Sequence, residues 1–253
     1  MIGKLKFLLF SYFVVIFSLF LYSFTQVDLS LTLSKVSIFQ TLQKNFQYIG
    51  FYQRQKSAII YSLILSLLFL FYGIFIYISL KNKITSKYLF YLIFGTFLLL
   101  VFSYNAFSYD LFNYIFDAKI VTHYQQNPFL HKPSDFLGDP MLNFMRWTHR
   151  LYPYGISWLV LTVPLSFIGK NIFLLTFFLF KLLSGLSYLG SVYLIYKISE
   201  KLFPINKVSN TLFFALNPLI LIEGLVSAHN DMSMVFITLL SFYLYLNKKR
   251  AMS

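Results

Sequence analysis

Long apolar runs separated by short basic clusters dominate the chain. Hydrophobic stretches cover about 5–24, 58–80, 88–103, 171–197, 208–227 and 232–246, and a helix needs roughly 20 apolar residues to cross the hydrocarbon core of a bilayer. The last stretch is short, but Lys248, Lys249 and Arg250 follow it, and their long stems can carry the charges to the interface. A further run, about 156–168, has only thirteen residues and an internal Pro164, which favours a juxtamembrane or re-entrant helix. Between the first two runs, Val27, Leu29, Leu31 and Leu33 alternate with polar residues and predict a short strand. Residues 36–52 predict an amphipathic helix lying on the bilayer, with Phe39, Leu42, Phe46 and Ile49 on one side. No internal repeat is visible.

The pattern predicts an all-α membrane protein, a polytopic bundle of about six transmembrane helices forming a single domain over 1–253. Basic residues gather on the cytoplasmic side of membrane proteins. Lys4/Lys6, Lys81/Lys83/Lys87, Lys197/Lys201/Lys207 and Lys248/Lys249/Arg250 all fall on that side when 156–168 does not cross. Both termini are then inside, and a large loop with juxtamembrane helices, 104–170, shares the outer face with the turn at Ala228–Asp231.

Composition supports this class. Hydrophobic residues make up 58% and charged residues 11% of the chain, far from the balance of a soluble domain. The net charge of +13 sits in the clusters just named, which argues against nucleic acid as a partner. With no cysteine there is neither disulfide nor thiolate metal site. The first run lacks a small-x-small cleavage site and predicts a retained signal anchor.

The stretch 103–155 is the polar exception. It holds four of the eight acidic residues, Asp110, Asp117, Asp135 and Asp139, three of the four histidines and one of the two tryptophans. Asp110, Asn113, Tyr114 and Asp117 are spaced to share one face of a helix. A carboxylate there can serve as general base toward a hydroxyl; the alternative is a solvated face, with Ser108 or Asp110 as a cap. Lys119, Arg146, His149 and Arg150 suit a lipid-linked phosphate, or else anionic headgroups. Tyr152, Tyr154 and Trp158 are either interfacial belt aromatics or platforms for a sugar ring. His123, His131 and His149 lack metal-ligand spacing, while two carboxylates leave a divalent cation or a shared proton open. His229, Asn230 and Asp231 crowd a tight hairpin, where Asp231 can alternatively cap the next helix. Lys181 lies inside an apolar run, pairing with Glu223, facing a lipid phosphate or snorkelling.

Three segments together resemble a known family. SYDLFNYIFDAKIVTHYQQNPF, around Asp110, is similar to the first large outer loop of the GT-C membrane glycosyltransferases. YPYGISWL resembles their "YPYGP" segment, and NPLILIEGLVSAHNDMSMVF resembles the "NPL … GHND" hairpin of the polyprenol-phosphate-mannose-dependent α-1,6-mannosyltransferases. The resemblance covers about 103–247. It implies inverting transfer of a sugar, mannose in that family, from a polyprenyl-phosphate donor to an extracytoplasmic glycan or lipid acceptor. By the resemblance Asp110 would be the base, and Lys119, Arg150 and Lys181 would meet the leaving phosphate; the residues themselves offer Asp117 as a second catalytic carboxylate and Asn113, Tyr114, His149, Tyr152, Tyr154, His229, Asn230 and Asp231 as groups to bind substrate or phosphate. Ala118-Lys119 and Ala228 depart from glycine-containing steps common in the family. Such enzymes usually have more spans, so the resemblance implies an N-terminal portion, with a second chain as a possible source of the rest of the donor site. A transporter or lipid-binding protein is the alternative class; its inverted repeats are not seen.

Overall fold

A computed structural model describes residues 2–247; Lys248, Lys249 and Arg250 lie outside them. The described residues form helices α1 (Ile2–Ser23), α2 (Ser37–Gln47), α3 (Arg54–Leu80), α4 (Ser86–Val101), α5 (Asp110–Thr122), α6 (Ile156–Gly169), α7 (Phe173–Leu202), α8 (Lys207–Ala215) and α9 (Asp231–Leu246). A π-helical segment, Ile220–Val226, lies between α8 and α9, and no strand occurs among the described residues.

Among the described residues, Gly3–Gln26, Arg54–Leu80 and Phe173–Leu202 are long and apolar enough to cross a membrane. Pro204–Ala215 and Ile220–Val226 make a fourth if counted as one broken span, bent by 60°. The break falls at Asn217-Pro218, where proline supplies no amide to the helical ladder. α4 and α9 have 16 residues each, about 24 Å of helix, short of a roughly 30 Å hydrocarbon core. α6 is shorter still and carries Pro164 inside it. Lys170 and Asn171, at φ 48° and 58°, then reverse the chain into α7.

Two apolar clusters organise the packing. One joins α1, α3, α4, α7, α8 and the π-helix through residues such as Tyr12, Leu19, Phe75, Leu92, Tyr188 and Leu221. The other joins α5, the 136–145 loop and the start of α7 through Phe112, Phe116, Phe144 and Phe177. α7 threads both, and its small residues let neighbours approach closely. A Cβ on Gly185 would meet Phe97 of α4 at 2.6 Å, and one on Gly190 would meet Phe236 of α9 at 2.4 Å.

Among the described residues, basic side chains of these clusters lie at the ends of α1, α3 and α7 remote from Asp110. Lys4 and Lys83 line one groove. Lys207 pairs with Glu200 at 2.7 Å, and Lys201 donates to Leu246 O at 2.5 Å.

The expected strand is corrected. Val27 and Leu31 are buried, but Leu29, which a strand would place on the same face, is exposed, and no second strand lies alongside. Glutamines of α2 satisfy the backbone instead. Gln47 Nε2 donates to Val27 O and Asp28 O, Gln43 Nε2 donates to Leu31 O, and Gln43 Oε1 accepts the Leu33 amide. Side-chain amides with the right reach replace a ladder. Phe39 and Leu42 of α2 stay exposed.

Candidate active site

The helix carrying the acidic face starts at Asp110. Ser108 Oγ accepts the Asp110 amide at 3.1 Å, so the serine serves the helix end. Asp110 adds a favourable negative charge in the first turn, and its carboxylate reaches outward to other groups. Asn113, Tyr114 and Asp117 sit on the same face as Asp110 and are buried, with at most 3% exposure. The face therefore turns into the protein, and the solvated-face alternative is set aside.

Two residues from distant segments reach the Asp110 carboxylate, and further groups gather behind them. Its Oδ1 lies 4.0 Å from Arg150 Nη2, and its Oδ2 lies 3.6 Å from His229 Nδ1. On its far side His229 Nε2 is 3.2 Å from Glu223 Oε2. Arg150 Nη2 donates to Tyr154 OH at 3.3 Å, and Tyr114 OH donates to Asn230 Oδ1 at 3.3 Å. The Tyr114 ring is set edge-on to Tyr154 and Trp158, at 5.0 and 5.3 Å, and Arg150 lies over the Trp147 ring at 5.2 Å. Asn113 Nδ2 donates to Trp147 O. Trp158 thus packs against α5 through Tyr114.

Several buried polar atoms here have no partner: Asn113 Oδ1, Arg150 Nε and Trp158 Nε1. Buried groups are rarely left unpaired, so this is unused capacity for a polar ligand. Burial pushes the Asp117 carboxyl up to about 7, a rise that the Arg150 charge only partly offsets. Burial likewise raises the phenols of Tyr114 and Tyr154, which keeps them protonated donors. Among the described residues no group of three or more His, Cys, Asp or Glu is placed to hold a metal ion.

Other expected site residues are placed elsewhere. Lys119 lies nine residues from Asp110, about half a rotation round the helix. It pairs at 2.5 Å with buried Asp139, which also accepts from Tyr124 OH and the Met141 amide. Burial alone would raise the Asp139 carboxyl; these bonds hold it below the ordinary range. The pair lines a separate cavity of about 170 Å³. Lys181 does not pair with Glu223. Its ammonium donates to Ser103 Oγ at 3.1 Å, Val226 O at 2.8 Å and Leu225 O, so it satisfies carbonyls at the end of the π-helix. Tyr152 is buried and braces the loop, its amide on Pro128 O and its hydroxyl on Gly155 O. His149 is exposed beside Trp147. Asp231 is exposed in the first turn of α9, with no side-chain cap formed there. Glu223 was expected only as a partner for Lys181; its place within two turns of the histidine hairpin was the available signal.

Residues 30–253 match the family model described as "Alpha-(1->6)-mannopyranosyltransferase, N-terminal domain". The chain belongs to this family. The match contains every residue of the cluster around Asp110. No curated protein and no solved structure gives a match. Membership in a mannosyltransferase family makes the chain part of a glycosyltransferase system, which requires a sugar donor and an acceptor, and its apolar helices are those of a membrane protein. The likeness of its "NPL … HND" hairpin to the family pattern also gives Ala228 a physical meaning. Ala228 is held at φ 51° and is buried. Glycine takes that conformation without the steric penalty that a Cβ brings. The strained backbone sits one residue before His229.

Proposed function

We propose that this chain transfers mannose from a polyprenyl-phosphate donor to an outer glycan or lipid acceptor, with Asp110 as general base. The observation that carries the proposal is the convergence of Arg150, His229 and the tyrosine wall on the Asp110 carboxylate. In this account six helical segments cross the bilayer, with a GT-C-like arrangement that opens the site on the extracytoplasmic face. The clustering of Lys4, Lys83, Lys201 and Lys207 at the opposite end supports that orientation. The exposed apolar side of α2 then lies in the outer interface.

The chemistry asks little of the protein beyond position and charge. Asp110 accepts the acceptor's hydroxyl proton as the oxygen attacks the anomeric carbon in line, with inversion, and polyprenyl phosphate departs. Arg150 supplies planar donors to the leaving phosphate. Lys119 and Lys181 already spend their donors on Asp139 and on backbone carbonyls, so Arg150 carries that role. Asp117, close to half-protonated near neutrality, is suited to hydrogen-bond a sugar hydroxyl as either donor or acceptor. Asn113, Tyr114, Tyr154, Trp158 and Asn230 shape the sugar site.

The test uses membranes holding the chain in its native assembly and radiolabelled polyprenyl-phosphate-mannose. Asp110→Asn should reduce transfer by about 100-fold or more with membrane abundance unchanged. Transfer at the wild-type rate would remove Asp110 from the reaction.

A further inference from the structure

We infer that Asp110, His229 and Glu223 form a proton relay that carries the proton taken from the acceptor out to solvent. The inference rests on the assignment of Asp110 as base and adds Glu223 and His229 to the reaction. His229 stands between two carboxylates, with Nδ1 3.6 Å from Asp110 Oδ2 and Nε2 3.2 Å from Glu223 Oε2. A neutral imidazole has one N–H and one lone pair. With both acids ionised, one carboxylate must therefore face a lone pair. One added proton removes that conflict, and it is the proton that a base at Asp110 would gain.

The surrounding structure holds this geometry in place. The His229 amide donates to Glu223 O at 3.1 Å, so the imidazole and the carboxylate share one backbone turn. Ser184 Oγ binds Gly224 O, and Lys181 binds the carbonyls of Leu225 and Val226, so α7 fixes the segment between them. Arg150 approaches the other oxygen of Asp110 and leaves Oδ2 to the histidine. Tyr114 and Tyr154 face the trio from α5 and the loop, and Tyr61 of α3 lies within electrostatic reach of Glu223. The Glu223 side chain is 46% exposed against 27% for Asp110, which makes Glu223 the outer end of the trio.

The step balances without a further reagent. The acceptor O–H bond breaks and its electron pair forms the new bond to the anomeric carbon. The bond from that carbon to the phosphate oxygen breaks, and the pair leaves on the phosphate. The proton passes from Asp110 to His229 Nδ1 as the Nε2 proton moves to Glu223, which releases it to solvent.

The chain has four histidines, so nitrogen-15 NMR of histidine-labelled protein in lipid nanodiscs can follow His229, assigned by its loss in His229→Gln. At one fixed pH, Glu223→Gln should move the His229 Nε2 resonance and Asp110→Asn the Nδ1 resonance, with those of the other three histidines unmoved, since each takes the facing carboxylate from one ring nitrogen. A His229 spectrum unmoved by either substitution overturns the relay. In the transfer assay, Glu223→Gln should lower kcat by about tenfold with the donor KM nearly unchanged. The double variant Glu223→Gln/His229→Gln should fall no further than the worse single variant, whereas additive losses overturn the relay. The NMR measurement needs no turnover, so failure of the mannosyl-transfer assignment and failure of the relay give different results.

Discussion

Single side chains at the site are set by burial more than by charge pairing. Asp117 shows this most directly. Its carboxyl is pushed up to about 7 because it is buried and no ion pair within 4 Å offsets the cost. Neutral Asp117 therefore favours the folded state fully below about pH 4, its ordinary value, and that contribution is lost as pH rises through 7. Three pKa units correspond to at most about 4 kcal/mol. Asp117→Asn should leave thermal stability in detergent unchanged at pH 4 and raise it by several degrees at pH 8. An equal shift at both pH values would show that the carboxyl does not titrate as described. At this scale the sequence made the α5 face legible, because its i, i+3, i+4, i+7 spacing survives any tertiary context. The fate of Lys119 was not legible. Half a helical rotation separates it from Asp110, and only the fold reveals Asp139 waiting on that side.

Elements were readable where periodicity or length dominates. The apolar runs map onto α1, α3, α4, α7, α8 and α9, and the amphipathic stretch maps onto α2. The strand at 27–33 failed because its apolar positions do not share one face, with Leu29 exposed between buried Val27 and Leu31, and because Gln43 and Gln47 satisfy the backbone in place of a ladder. For Lys181 the sequence leaves a pair with Glu223, a lipid phosphate and snorkelling all open. The broken span turned Glu223 toward His229 and left carbonyl oxygens at the end of the π-helix, and those took the lysine. A π-segment beside a functional site is a recurring device. Lys181→Met would strip donors from two buried carbonyls and a serine, each worth roughly 1–3 kcal/mol when left unpaired. Its unfolding midpoint in denaturing detergent should fall sharply, and Lys181→Arg should recover only part of the loss. Unchanged stability in Lys181→Met would mean that the ammonium does not hold the π-helix.

The whole molecule assembles its site from segments far apart in sequence. Residues 110, 150, 154, 223 and 229 meet because the broken span and the loop helices end at the same level of the bundle. Hydropathy located those segments and the basic clusters gave them a common side, but the contacts between them depend on the loop's path, which no periodicity encodes. The central claim is that Asp110 and His229 face each other in one pocket on the extracytoplasmic side. The absence of native cysteine allows Asp110→Cys and His229→Cys to be introduced together without background. A short, membrane-impermeant bifunctional thiol reagent, added to intact cells, should cross-link the pair. Reaction only after the membrane is permeabilised, or labelling of one position without the other, would contradict the account.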